Sequence, residues 1–180
     1  AWLNEGFASY CEALISEHLN GFSSYKNYMT KFEWYTGGTV YLPQDTNAFN
    51  IFQGIVYYKG AYVLHMLRGV LGDSVFFNCL HAYAASSQFK YGYASTDDFR
   101  QVCETVSGQN LQYFFDQWIF DKYYPKYKYN FYSHPSVQST ALTIYQQQGP
   151  VNAWRPVFKM PLQIKFNFST GADTLVTVMN

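Results

Sequence analysis

The sequence predicts an α+β protein with its helices first and its strands last. Up to Asp121, apolar residues recur at helical spacing between glycine or asparagine stops; beyond it, apolar and polar residues alternate with a period of two. Aromatic residues make up 21% of the 180 residues, with 18 Tyr and 16 Phe, whereas charged residues make up only 13%. Tyrosine joins an apolar ring to a polar tip, so such a chain fills half-buried positions without many charges.

The first helix is expected from Leu3 to Leu19, stopped by Asn20-Gly21. Leu3, Phe7, Tyr10 and Leu14 share one stripe, and Glu5, Ala8, Glu12 and Leu19 share the opposite one, which does not read as an ordinary solvated face. A second helix is expected over Ser24–Tyr35 before Gly37-Gly38. From Thr39 to Asn50 turn formers dominate, so a loop is expected, with a short extended piece at Thr39–Leu42. Val56, Gly60, Leu64, Leu67 and Leu71 then mark a helix ending at Gly72, and another follows from Asp73 to Ala85.

Ser95 and Asp98 form a capping-box signature ahead of Phe99, Val102, Cys103 and Val106, with Gly108 as the stop. A last short helix turns Leu111, Phe114, Phe115 and Trp118 inward. The strands follow: "KYKYNFY" is expected to be a half-buried strand rather than a sugar- or base-stacking surface, and "ALTIYQ", "PLQIKFNF" and "TLVTVMN" continue the pattern. A domain boundary is expected near 121–125.

Lys+Arg and Asp+Glu balance at 12 each, which argues against nucleic acid as a partner, since that is bound through excess positive charge. No apolar run reaches the ~20 residues of a membrane span. Cys11, Cys79 and Cys103 show no metal or disulfide spacing and read as small buried apolar residues. The start at Ala1 without an initiator Met leads us to expect part of a longer protein. The Tyr-rich, Lys-poor composition leans toward a secreted or cell-envelope protein of a bacterium.

By themselves Glu5 and Glu12 read equally well as solvated helix glutamates. Seven residues of helix rise ~10.5 Å, which is long for a glycosidase carboxylate pair. Tyr57 alone reads as a core tyrosine, and His65 and Arg68 lie off the apolar stripe at positions expected to be solvated.

The wording around these residues changes the reading. "WLNEGFASYCEAL" resembles the segment of aminopeptidase N-like zinc metallopeptidases, the gluzincin aminopeptidases related to leukotriene A4 hydrolase, that supplies a glutamate ligand to zinc. "VYYKGAYVLHMLRGVLG" resembles their Y-x-K-G-A helix, "DDFRQVCETVSGQNLQYFFDQW" the close of their helical domain, and "PVFKMPLQIKF" the opening of the β-sandwich after it. The motifs occur in order and run nearly end to end.

The resemblance implies that residues 1–122 are the helical C-terminal part of a catalytic domain and 123–180 the start of a β-sandwich domain. It implies Glu5 as a zinc ligand, Asn4 and Glu12 as its supporting partners, and Tyr57 as the donor to the oxyanion of the tetrahedral intermediate. It further implies peptide substrates, cleaved at the N-terminal bond by metal-activated water. The family's H-E-x-x-H segment would precede Ala1, so this chain alone is expected neither to hold zinc nor to cleave peptides. A non-catalytic relative serving as a protein-interaction scaffold is the alternative.

Overall fold

In the computed structural model, the described residues are 1–35, 37–41, 47–134, 136, 139–148, 157–169, 171 and 173–180, with nothing said of the side chains of residues 34 and 35. The helical part contains α1 (Trp2–Asn20), α2 (Phe22–Met29) continued by a 3₁₀ turn (Thr30–Tyr35), α3 (Ala48–Ile51), α4 (Gly54–Leu71), α5 (Asp73–Ala85), α6 (Thr96–Ser107) and α7 (Gln112–Phe115), the last running into a π turn (Asp116–Phe120). Four strands follow: β1 (Pro125–His134), β2 (Ser139–Gln148), β3 (Pro161–Asn167) and β4 (Asp173–Met179). They form two antiparallel hairpins, β1–β2 and β3–β4. The expected order, helices then strands, is the observed one.

Local chemistry accounts for the clearest ends. Ser95 Oγ accepts from the Asp98 amide at 3.2 Å and Asp98 Oδ2 accepts from the Ser95 amide at 2.7 Å, completing the capping box of α6. Gly108 closes that helix in the left-handed region, φ 67°, where a side chain would be strained. Val56, Leu64, Leu67 and Leu71 bury the predicted stripe of α4, and Leu111, Phe114, Phe115 and Trp118 all face inward.

Several expectations are corrected. Residues 39–41 are not a strand, Leu42 lies outside the described residues, and α3 occupies the end of the predicted loop. The buried stripe of α1 is Trp2, Gly6, Ser9, Tyr10 and Ala13, while Ala8, Glu12 and Leu19 are exposed. Small residues thus share the buried face with Trp2 and Tyr10, while Leu3, Phe7 and Leu14 of the predicted stripe pack half-buried against the core. Cys11 is exposed, although Cys79 and Cys103 are buried. Val106 is exposed too.

Arg68 is only 6% exposed rather than solvated. Its guanidinium donates to both oxygens of Glu17 at 2.6 and 2.9 Å and to both of Asp73 at 2.8 and 2.7 Å. α1 lies along α4 closely enough for Glu17 to reach it, and an arginine fork suits paired carboxylates. His65 is half-buried, its Nδ1 2.6 Å from the Tyr25 hydroxyl. Burial first, and the Arg68 charge second, push the His65 pKa down.

β1 is exposed along nearly its whole length, contrary to the half-buried reading. Among the described residues its ladder pairs only with β2, and its apolar face, with Tyr129 and Phe131, borders an open gap of ≈650 Å³ shared with Leu142, Ile144, Leu162 and Ile164. The hairpins meet the helical part at Phe158–Met160. Gln117, on the π turn, donates to Lys159 O at 2.7 Å and accepts from Lys159 N at 3.0 Å. Gln146 pairs in the same way with Phe158 at 2.7 and 2.6 Å, and Asn180 donates to Phe158 O at 2.8 Å and accepts from Met160 N at 2.7 Å. The Phe158 ring is buried 5.1 Å from that of Trp118. The π turn widens the helix by one residue and so faces Gln117, Trp118 and Ile119 inward in succession.

Candidate active site

The helices that carry the predicted site residues cross with their backbones in contact. A Cβ built on Gly6 of α1 would lie 2.8 Å from both Cα and C of Gly60 on α4, and one on Gly60 would lie 2.8 Å from Gly6 Cα. Any larger residue at either position would drive the axes apart. This contact places Glu5, one residue before Gly6, beside Tyr57, about one turn before Gly60.

Both side chains are half-buried. Partial burial holds the Tyr57 phenol above its ordinary pKa, and Glu5 adds to the shift through its charge and as an acceptor. At neutral pH the phenol is therefore protonated and a donor. Tyr58, next in sequence, stacks on Phe32 at 5.4 Å.

Glu12 is exposed, and its carboxylate accepts from the Tyr28 hydroxyl, whose pKa that hydrogen bond pushes up to about 12. Glu12 and Tyr57 line the same cleft of ≈770 Å³, together with Ser9, Tyr28, Lys31 and Phe32. Asn4 is exposed in the first turn of α1. Tyr57 thus meets Glu5 at the crossing and shares a neighbouring cleft with Glu12.

Among the described residues, no group of three or more His, Cys, Asp or Glu side chains could hold a metal ion. A zinc site needs three or four ligands in fixed geometry. Glu5, an oxygen donor of the right type, fits one arm of such a site and not the whole of it.

Gly6, Gly60 and Lys59 lie within the quoted motifs, Gly60 also on the predicted stripe of α4, but the pattern assigned them no role of their own. A glycine inside a helix costs ~1 kcal/mol relative to alanine, so its presence within each motif is a signal of close backbone approach. Lys59 is 3% exposed, and nothing in its helical position distinguishes it from a solvated lysine.

The sequence and the fold have counterparts among known proteins. Residues 1–118 match the Peptidase family M1 domain. The chain belongs to that family. Aminopeptidase M1-A of Oryza sativa subsp. japonica is 34% identical over an alignment of 137 positions that covers 69% of this chain and 15% of that protein. "Probable aminopeptidase 2" of Sulfurisphaera tokodaii is 25% identical over an alignment of 181 positions that covers 92% of this chain and 22% of that protein. The crystal structure of Legionella pneumophila aminopeptidase A in complex with aspartic acid superposes with a TM-score of 0.78 at 18% identity, covering 100% of this chain and 21% of that one. At that identity the likeness concerns the fold. The chain spans about 15% of the length of the first of these relatives. Among the described residues, no helix is long and apolar enough to cross a membrane.

Proposed function

We propose that this chain is the part of a zinc aminopeptidase that carries one metal ligand and the donor to the reacting carbonyl. Residues 1–122 belong to the catalytic domain and 123–180 open a β-sandwich domain. The substrates are peptides, shortened from the N-terminus. The juxtaposition of Glu5 and Tyr57 across the Gly6–Gly60 contact carries the reading.

Glu5 would be the residue of this chain that holds zinc, with the remaining ligands supplied from outside it. Zinc, when bound, supplies a Lewis acid for peptide hydrolysis. Tyr57 donates its hydroxyl hydrogen bond to the carbonyl oxygen as negative charge builds there, and its raised pKa keeps the proton in place. Glu12 acts at the wall of the same cleft, where it holds Tyr28. In this reading it orients the surroundings of Glu5 without being a ligand.

The test uses a longer protein that contains this sequence. Tyr57→Phe should lower kcat by ~10²- to 10³-fold, the range for loss of one oxyanion donor, with KM changed far less. Tyr58→Phe should lose much less. Glu5→Ala should lower zinc content, whereas Glu12→Ala should weaken zinc binding ~10- to 100-fold without abolishing it. Equal losses from the two tyrosine variants, or greater zinc loss from Glu12→Ala than from Glu5→Ala, would overturn the assignment.

A further inference from the structure

Lys59 lies two residues after Tyr57, about 200° around α4, and one before Gly60, about 100° from the face that meets α1. Its ammonium is buried and donates to Gly38 O at 2.5 Å and to Asp121 O at 3.1 Å. Those carbonyls belong to two segments far apart in sequence, one after the 3₁₀ turn and one at the exit from the helical part. The two segments also bind each other. The Tyr123 amide donates to Gly37 O at 3.2 Å, Thr39 Oγ1 donates to Ile119 O at 2.8 Å and Phe120 O at 3.2 Å, and the rings of Tyr41 and Phe120 lie 4.8 Å apart. One short stretch of α4 is therefore gripped on two sides. Gly60 holds it against α1, and Lys59 holds it against the paired straps 37–41 and 119–123.

We propose that Lys59 is a positioning residue for Tyr57: by tying the Gly38 and Asp121 carbonyls to this turn of α4, it keeps the phenol facing Glu5. The proposal rests on the catalytic reading of Tyr57 given above. An apolar side chain at position 59 could fill the space, as Val56, Val63 and Leu67 do elsewhere on α4. Only a donor of this reach can fix where two carbonyls lie. Burial lowers the Lys59 pKa to about 8, the Asp121 charge opposing the fall, which marks an ammonium held in place against its solvation. Glu33, Tyr62 and Tyr124 line the ≈330 Å³ cavity beside it, which leaves room for a larger cationic head.

Two measurements test the proposal. In the 180-residue chain labelled with 3-fluorotyrosine, the ¹⁹F signal of Tyr57 is identified by its loss in Tyr57→Phe. Lys59→Met should move that signal, while Lys59→Arg, which keeps the donors, should leave it near the original. Should Lys59→Met not fold, Lys59→Gln, which can still serve one carbonyl, carries the same comparison. An unmoved Tyr57 signal in the folded variant would overturn the proposal. In a longer active protein, Lys59→Met should lower kcat about 10- to 100-fold with KM within about twofold, and Lys59→Arg should restore most of it. Normal kcat in Lys59→Met alongside a large loss in Tyr57→Phe would sink the positioning role and leave the catalytic reading intact. No loss in Tyr57→Phe would sink the catalytic reading itself.

Discussion

The α1–α4 crossing and the junction between the helical part and the hairpins both join segments distant in sequence, but by opposite means. At the crossing, side chains are removed: Gly6 and Gly60 let two backbones touch, and Glu5 and Tyr57 meet as a consequence. At the junction, side chains are added: Gln117, Gln146 and Asn180 each present an amide to the extended backbone of 158–160, much as a neighbouring strand would. The steric contact tolerates no added atom, whereas the polar one can exchange its partners for water. A site that must hold two groups in register therefore sits better on the first, and a boundary between two architectures on the second.

The crossing should show the largest effect. Gly60→Ala should destabilise the chain by about 2 to 3 kcal/mol through overpacking, reversing the ~1 kcal/mol gain the same change gives in an open helix. Urea unfolding measures it, and a stabilised variant would mean that the helices are not in contact. Gly6→Ala should behave alike, and the double variant should be less than additive because both act on one contact.

Gln117→Ala should be milder, about 1 to 2 kcal/mol, since it strands an amide and a carbonyl that water can partly satisfy. The loss should be local. Hydrogen exchange at Lys159 should quicken while amides of α4 stay protected. Equal quickening in α4 would erase the distinction between the two contacts.

The smallest effect belongs to the far end of the α1–α4 pair. Hydrogen bonds from Arg68 hold the Asp73 carboxyl below its usual pKa, although its side chain is 68% exposed. A carboxyl whose folded pKa is depressed stabilises above its unfolded value, ~3.9, and loses that contribution as pH falls through the folded one. The difference in unfolding free energy between the original chain and Asp73→Asn should thus be at most ~1 kcal/mol near pH 7 and shrink as pH falls below ~3.9 through the folded value. A difference that grows on acidification would assign the shift to another group.

What could be read beforehand follows a physical line. The capping box of α6, the extent of α5, the apolar stripe of α4 and the inward face of α7 are local patterns, and each appeared where the spacing put it. On α1 the burial of Gly6, Ser9 and Ala13 was missed because they carry little hydrophobic signal, yet small residues are what a close helix contact requires. Arg68 was misread because its burial depends on Glu17 and Asp73 converging from two other helices.

Sequence by itself singled out the residues proposed to carry the chemistry, because the motifs around Glu5 and Tyr57 are contiguous and their resemblance to the aminopeptidase segments is legible without a fold. Only the tertiary structure decided that the two lie side by side, that Lys59 on the same turn of α4 as Gly60 bonds two remote carbonyls, and that Gln117 clamps the hairpins. Those relations arise from a helix crossing whose depth is set by two missing side chains, and such depth is a property of a pair of helices that no single stretch of chain encodes.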